Sequence, residues 1–154
     1  MKDKLLDPQY LSGFVDGEGS FVVSIYPRER CPSGLEVLPS FSVSQSERRS
    51  KILYLIKDYF DCGTVRSGGD GTLKYETRGI KDLVNKVVPH FKKYPLVSGK
   101  RKDFEIFTEV CRMMNKGLHR SADGLKLILE LVSKMNPSGS RKYSKEFLLS
   151  KMKI

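Results

Sequence analysis

The hydrophobic periodicity changes at Gly19, and this change constrains the fold more than any other feature of the sequence. Before Gly19, the pair Asp7-Pro8 supplies an N-cap and a first-turn proline, and apolar residues recur at helical spacing, so a helix is predicted over residues 8–16. After Gly19, apolar and polar residues alternate, which predicts a strand with two unlike faces over residues 20–28. A helix therefore runs almost directly into a strand.

The later apolar patterns extend this start into an alternation of helices and strand pairs. They predict a loop over residues 27–39, a strand around Phe41 and Val43, a helix over 51–60, a hairpin over 65–76, a helix over 80–91, and C-terminal helices around 104–114, 125–135 and 146–152. The order αββαββα followed by further helices is typical of an α+β fold with the helices on one face of an antiparallel sheet. One domain over residues 1–154 is predicted, because no internal boundary is evident.

The charge balance indicates an anionic partner. The chain has 28 Lys and Arg against 18 Asp and Glu, a net charge of +10, and nucleic acid is the first candidate for such an excess. No membrane partner is predicted, since no apolar run approaches a span of roughly 20 residues and the N-terminus lacks a signal-peptide pattern. We expect an intracellular protein, in the cytoplasm of a prokaryote or in an organelle. Cys31, Cys62 and Cys111, odd in number and far apart, are expected to be reduced thiols.

One face of the predicted sheet is too polar to form a second core layer. It carries serines together with Arg28, Arg66, Lys74 and Arg78. Such a face fits contact with nucleic acid, although a face exposed to water would have a similar composition.

The end of the first helix carries an unusual combination of acids and glycines. Asp16 and Glu18 lie where the helix dipole disfavours carboxylates, which a bound divalent cation such as Mg²⁺ would compensate, although a solvated turn also fits. Gly13 and Gly17 lie four residues apart and leave a bare stripe where a second helix could approach. Gly17 and Gly19 also fit a simple helix end.

These residues carry a resemblance to a known family. The segment LSGFVDGEGSF (residues 11–21) resembles the signature of the LAGLIDADG homing endonucleases, and VSQSERR (43–49), YPLVSGKRKDF (94–104) and GLHRSADGLKLI (117–128) support it. The resemblance implies a saddle-shaped antiparallel sheet and site-specific cleavage of double-stranded DNA in intron or intein mobility. Because only one signature is present, it implies the single-motif members of the family, which act as homodimers.

The resemblance also implies roles for individual residues. Glu18, in place of the family's aspartate, is the catalytic carboxylate, and it binds Mg²⁺ or Mn²⁺ together with the carbonyl of Gly17. Gln45 organises the metal-bound water, Arg49 is a nearby cation, and Lys100 polarises the water or steadies the phosphate; Arg101 or Lys102 are alternatives to Lys100. Without the resemblance, the same residues fit a strand end, a solvated helix position and a basic loop.

The remaining implied contacts concern the dimer and the DNA. The predicted dimer interface contains Ser12, Gly13, Asp16 and Gly17. The scissile phosphates lie across the minor groove of a long, pseudo-palindromic target, and the products carry short 3′ overhangs. The residues predicted to contact the DNA are Ser20, Ser24, Tyr26, Arg28, Ser40, Ser42, Arg66, Lys74, Glu76 and Arg78, with Glu76 accepting from cytosine.

Two other functions remain open at this stage. The first is a non-cleaving splicing cofactor, or maturase, that binds intron RNA on the same scaffold. The second is an unrelated sheet-based RNA-binding module, which would need surface aromatic residues to stack on bases, and Tyr26 is the one good candidate on the sheet.

Overall fold

A computed structural model describes residues 5–136, 139 and 141–153 of the chain, so the predicted domain limits at residues 1 and 154 lie outside the described residues. The helices and strands are, in chain order, α1 (Pro8–Glu18), β1 (Gly19–Pro27), β2 (Leu35–Ser46), α2 (Lys51–Phe60), β3 (Thr64–Gly69), β4 (Thr72–Thr77), α3 (Ile80–Asp82), a π-helix (Leu83–Val87), α4 (Val88–Lys93), α5 (Lys100–Asn115), α6 (Ala122–Val132) and α7 (Lys145–Lys151). The predicted order of elements is confirmed.

The first helix begins where the sequence predicts and ends two residues later. Asp7 caps α1, because its carboxylate accepts a hydrogen bond from the Tyr10 amide at 2.9 Å. The helix continues to Glu18, and the Gly19 N–H bonds to the carbonyl of Val15. A Cβ atom at Gly19 would lie 2.6 Å from Cγ1 of Val15 and 2.9 Å from its carbonyl oxygen. Only glycine therefore permits so direct a passage from α1 into β1.

The four strands form one antiparallel sheet in the order β1-β2-β4-β3. The predicted loop over residues 27–39 is wrong at its end, because β2 already begins at Leu35, whose side chain is buried and which pairs with Pro27. Strand β4 pairs only with the later part of β2, from Phe41 onward. Pro39 therefore lies where β2 has a neighbour on one side only, a position that tolerates a missing N–H.

The core lies between the sheet and the helices. The ring of Phe21 lies 5.1 Å from that of Phe41, 5.5 Å from Phe91 and 5.3 Å from Phe107, which joins β1 and β2 to α4 and α5. One continuous set of buried apolar side chains links all these elements, and the predicted α+β class is confirmed. Within the described residues, no helix is long and apolar enough to cross a bilayer.

The helix predicted over residues 80–91 is present but irregular. It is divided into α3, the π-helix and α4, and it continues to Lys93. Pro89, the second residue of α4, lacks the N–H that a regular helix would direct to the carbonyl of Asn85 within the π-helix. A wider turn removes the clash between the proline ring and that carbonyl, so it accounts for the irregularity.

Candidate active site

The end of α1 presents a carboxylate and a carbonyl to the surroundings. Glu18 and Gly17 are both exposed. The carbonyl of Gly17 is one of the last four in α1, which have no amide partner within the helix. Among the described residues, no group of three or more His, Cys, Asp and Glu side chains could hold a metal ion. A carboxylate and a carbonyl are the hard oxygen ligands that Mg²⁺ prefers, yet one chain supplies only an incomplete set.

Lys100 reaches the same helix end from the start of α5. Its Nζ donates to the carbonyl oxygens of Val15 at 3.0 Å and Asp16 at 2.9 Å. A cation at the C-terminus of a helix is favoured by the helix dipole. Burial lowers the pKa of the Lys100 amine, while the negative charges of Asp16, Glu18 and Asp103 oppose that effect.

The two alternatives to Lys100 lie elsewhere on the surface. Arg101 pairs with Glu105 at 3.5 Å along the exposed side of α5, and Lys102 is exposed. Of the three basic residues considered from the sequence, Lys100 is therefore the one hydrogen-bonded to α1.

The carboxylate of Asp16 is directed to a loop of its own subunit. Oδ2 accepts from the amides of Val97 and Ser98, each at 3.0 Å, and Oδ1 accepts from the Ser98 hydroxyl. Burial alone would raise the pKa of Asp16, but these hydrogen bonds and the charge of Lys100 hold it below its usual value. The sequence predicts that the helix ends at Asp16, but α1 continues to Glu18. The carboxylate of Asp16 is hydrogen-bonded to this loop, and its place at a dimer interface stays a prediction.

Gln45 lies near the end of β2, and Arg49 lies just beyond that strand. Strand β2 extends past its pairing with the start of β1, where Gly19 lies opposite Val43, so Gln45 lies two residues beyond that pair and opposite Leu73 of β4. Arg49 lies in an exposed 3-10 turn, Glu47–Arg49. Neither residue has a hydrogen bond to Glu18 among the described residues, so their roles stay predictions.

The glycine stripe of α1 is open, whereas Ser12 is not part of it. A Cβ atom built on Gly13 or Gly17 meets no atom within 4 Å. Ser12 is only 5% exposed and donates to the carbonyl of Tyr94 at 2.7 Å, so its side chain is directed into its own subunit, and its place at a dimer interface stays a prediction. Consecutive helix residues are rotated by about 100°, which turns Ser12 inward while Gly13 faces outward.

Ser12 joins a buried network that the sequence did not reveal. Its hydroxyl lies 3.0 Å from Nε2 of His90, and the hydroxyl of Tyr59 lies 2.9 Å from Nδ1. Because the Ser12 proton is donated to Tyr94, Nε2 of His90 must carry the proton and Nδ1 accepts from Tyr59. Burial lowers the pKa of His90 to about 4, which keeps the ring neutral. The network joins α1, α2 and α4 behind the glycine stripe.

The polar sheet face exists, but its side chains are not equally available. The pairs Ser20↔Ser42 and Ser42↔Glu76 place β1, β2 and β4 residues on one face, and alternation places Ser24, Tyr26, Ser40 and Lys74 there as well. Arg66 pairs opposite Lys74 on β3. Ser40 and Ser42 are only 8% and 7% exposed. Little of either side chain is therefore accessible, and their direct contacts with DNA stay predictions.

Glu76 is the centre of a charge cluster on this face. Its carboxylate, 4% exposed, contacts Arg66, Lys74 at 3.1 Å and Arg78 at 3.2 Å, and accepts from the Ser40 hydroxyl at 3.0 Å. Burial would raise the pKa of Glu76, but Lys74, Ser40 and Arg78 hold it below its usual value. Both carboxylate oxygens are engaged within the subunit, so a contact with cytosine would require these partners to rearrange, and it stays a prediction. At the far end of β1, Arg28 pairs with Glu36.

Comparison with known proteins places the site in a family. Residues 11–111 match the LAGLIDADG endonuclease family, which covers the end of α1, Gln45, Arg49 and Lys100. The chain is 35% identical over 144 residues to the probable intron-encoded endonuclease 2 of Neurospora crassa. That alignment covers 92% of this chain but 32% of the relative, so the chain spans about a third of the relative's length.

Solved structures share the fold. The crystal structure of the homing endonuclease I-TnaI superposes with a TM-score of 0.84 at 35% identity and covers 96% of this chain and 97% of that one. The structure of I-SmaMI bound to an uncleaved DNA target in the presence of calcium ions has a TM-score of 0.85 at 29% identity, over 89% of this chain and 47% of that one. With its signature helix, sheet and family match in agreement, this chain belongs to the LAGLIDADG endonuclease family.

Proposed function

We propose that this protein is a site-specific homing endonuclease that hydrolyses both strands of a DNA duplex in intron or intein mobility, acting as a single domain over residues 1–154. One observation carries the proposal: the end of α1 bears the exposed carboxylate of Glu18, and the amine of Lys100 reaches the same helix end, 2.9 Å from the carbonyl of Asp16. Phosphodiester hydrolysis needs both a metal-binding acid and a cation for the phosphate. Family membership and the DNA-bound relatives support this reading. We expect the activity in a prokaryotic cytoplasm or an organelle.

The metal implied by this chemistry is Mg²⁺ or Mn²⁺, and the donor set fits it. The Lys100 amine donates to the carbonyls of Val15 and Asp16, and the Gly19 N–H donates to the carbonyl of Val15. The carbonyl of Gly17 is the next one along the helix. Glu18 and Gly17 would hold the ion, which when bound supplies a polarised water and stabilises charge on the phosphate.

The protein's own residues would complete the reaction site. The ammonium group of Lys100, restrained by two carbonyls, would offer its remaining proton to a phosphate oxygen as negative charge develops there. Gln45, near the end of β2, would orient the attacking water through its amide, and Arg49, in the turn that follows, would supply a second positive charge. These three roles rest on position together with the family resemblance.

A homodimer would make the site complete. The stripe formed by Gly13 and Gly17 is open, and two such stripes could pack across a two-fold axis. This packing would bring two copies of Glu18 together, one for each DNA strand. Symmetry then accounts for double-strand cleavage across the minor groove with short 3′ overhangs at a long pseudo-palindromic target.

The polar sheet face would lie in the major groove. Its exposed cations Arg28, Arg66 and Arg78 can donate to guanine, and Lys74 can donate to guanine or phosphate. Ser20, Ser24 and Tyr26 would add contacts that tolerate some sequence variation, often through water.

The decisive experiment is cleavage of a library-selected target plasmid by the wild type and by Glu18→Gln. The wild type with Mg²⁺ should linearise the plasmid, while Glu18→Gln should bind the same duplex in Ca²⁺ and leave it intact. Glu109→Gln, which removes an exposed carboxylate remote from α1, is the matched control and should cut normally. Full cutting by Glu18→Gln would refute the assignment. Binding of intron RNA by a wild type that never cuts DNA would indicate the splicing-cofactor function instead.

A further inference from the structure

We propose that Asp16 is a positioning residue whose carboxylate holds the segment before α5, so that the Lys100 ammonium group is placed beside Glu18. The inference rests on the proposed function, in which Lys100 acts on the scissile phosphate. It assigns to Asp16 a role in the reaction that is separate from metal binding and from dimer packing.

Asp16 first holds the loop before α5 through hydrogen bonds to its carboxylate. Both amides of Val97 and Ser98 donate to Oδ2 at 3.0 Å, and the Ser98 hydroxyl donates to Oδ1. Three donors from two consecutive residues converge on one carboxylate. A carboxylate accepting from two backbone amides and a hydroxyl fixes both the position and the orientation of the loop.

Ser98 then connects these hydrogen bonds to the start of α5. The hydroxyl of Ser98, which donates to Asp16, accepts from the Lys100 amide at 3.2 Å. The carbonyl of Ser98 accepts from the Arg101 amide at 3.0 Å. Ser98 therefore connects Asp16 by hydrogen bonds to the first turn of α5, where Lys100 is the first helical residue.

The third part is the return contact from α5 to α1. The Lys100 Nζ donates to the backbone carbonyls of Val15 and Asp16, at 3.0 and 2.9 Å. Asp16 thus contacts Lys100 twice: through its side chain, by way of Ser98, and through its own carbonyl. The two residues are 84 positions apart in sequence, and this closed set of hydrogen bonds fixes their relative position.

Little else holds the loop in place. Leu96 is buried and anchors the start of the segment, but Val97 is 90% exposed. A Cβ atom on Gly99 would meet no atom within 4 Å, so the residue before α5 lies in open space. Packing therefore does not fix residues 97–99, and the carboxylate of Asp16 supplies the restraint that packing lacks.

The test uses Asp16→Asn, Ser98→Ala and Ser98→Thr in the full chain. Asparagine has one acceptor oxygen instead of two and places an NH₂ group against donors, while alanine removes the hydroxyl of Ser98 and threonine retains it. Asp58→Asn on the exposed side of α2 is the control for loss of a negative charge. Thermal unfolding checks that each variant is folded.

The first measurement needs neither DNA nor metal. Acetic anhydride labels lysine amines, and peptide mapping gives the rate at Lys100 relative to the exposed Lys102 in the same molecule. We expect severalfold faster labelling of Lys100 in Asp16→Asn and Ser98→Ala, and wild-type rates in Ser98→Thr and Asp58→Asn. Unchanged labelling of Lys100 in folded Asp16→Asn and Ser98→Ala would overturn the proposal.

The second measurement separates binding from reaction. In Ca²⁺, Asp16→Asn should bind target DNA as tightly as the wild type, whereas its single-turnover cleavage in Mg²⁺ should slow by roughly ten- to a hundredfold, as expected for a misplaced reacting group. In a Lys100→Met background, Asp16→Asn should slow cleavage no further. An additional loss of the same size in that background would overturn the proposal, because Asp16 would then act independently of Lys100.

Failure of the proposed function gives a different pattern. If Glu18→Gln and Lys100→Met both cut like the wild type, the assignment of the active site is wrong. The labelling experiment would still show whether Asp16 positions Lys100, since it does not depend on cleavage.

Discussion

At the scale of single residues, Glu76 lies on the sheet face that the sequence predicts, yet its carboxylate contacts neighbouring cations of its own subunit. The alternation of the sequence puts Glu76 on the polar face, as the register confirms. Lys74 and Arg78 are near it in sequence, but its contacts with Arg66 of β3 and Ser40 of β2 depend on strand pairing, which no local pattern reveals. In the proposed function, a carboxylate that restrains Arg66, Lys74 and Arg78 would set their geometry before DNA binds.

Replacing Glu76 with Gln should therefore weaken discrimination rather than binding. Gln retains a partner for Ser40 but frees the three cations, so binding to non-target duplex should tighten and the ratio of target to non-target affinity should fall. One additional phosphate neutralised per subunit would steepen the log–log salt slope by about 2 for a dimer. Fluorescence anisotropy in Ca²⁺ at several salt concentrations measures both effects. Asp58→Asn should leave the ratio unchanged, and an unchanged ratio in Glu76→Gln would contradict the prediction.

Gly19→Ala should destabilise the fold. The new Cβ would lie 2.6 Å from Cγ1 of Val15 and 2.9 Å from its backbone oxygen, and the backbone must shift to relieve this contact. We expect a loss of about 1–3 kcal/mol in the free energy of unfolding, as for other overpacked core positions, measured by urea denaturation. Gly99→Ala, where the Cβ meets no atom within 4 Å, should change the free energy far less. Equal stability of the two variants would show that the passage from α1 into β1 adjusts freely.

At the scale of elements, α1 presents different residues to the interior and to the open side. Gly13 and Gly17 face the open side, while Ser12 contacts His90 and Tyr94 within the subunit. Helical spacing in the sequence predicts the stripe. It does not predict the interior contacts of Ser12 or Asp16, because their partners lie about 80 positions away in the chain. The early start of β2 was missed for a related reason, since Leu35 is ordered by its pairing with β1.

Gly13→Leu should abolish dimerisation while preserving the folded subunit. A Cβ atom at Gly13 meets no atom of the subunit within 4 Å, but a leucine side chain there would separate two helices that pack through glycines. Sedimentation velocity should give a monomer where the wild type is a dimer, and cleavage should be lost. Leu127→Ala, which changes an exposed apolar residue on α6, should remain dimeric. A dimeric Gly13→Leu that still cuts would place the interface elsewhere.

The buried network around His90 should make stability depend on pH. The pKa of His90 is lowered to about 4 from an ordinary value of 6.5. Below pH 6.5, His90 therefore binds a proton in the unfolded chain but stays neutral in the folded chain. Stability is then lost as the pH falls from 6.5 towards 4, by about 2 kcal/mol between pH 7.5 and 5. Urea denaturation at these two pH values measures the change.

The second histidine serves as the control for this prediction. The pKa of His119 is also lowered, by burial and by the charge of Arg120. His119→Gln should keep most of the pH dependence, whereas His90→Gln should lose most of it. The same dependence in both variants would show that the network of Ser12, His90 and Tyr59 does not exclude the proton.

At the scale of the whole molecule, charge should dominate binding. Two subunits would carry twice the net charge of +10, or +20, over a duplex whose phosphates release counterions on contact. If roughly ten phosphates are neutralised, the log–log salt slope should be near −9. Titration of the target duplex between low and moderate salt measures the slope. The Gly13→Leu monomer should show about half of it, and a slope near zero would contradict binding through the polar face.

The pairing of β2 has a consequence for how the target is divided. Strand β1 pairs with β2 from Leu35 to Val43, and β4 pairs from Phe41 to Ser46, so only three residues of β2 have neighbours on both sides. The sheet thus consists of two hairpins, β1–β2 and β3–β4, joined where β4 pairs with the later part of β2. Each hairpin would address its own stretch of base pairs, and exchanging one for a hairpin of different sequence would alter recognition in that stretch alone, leaving the other as an independent module.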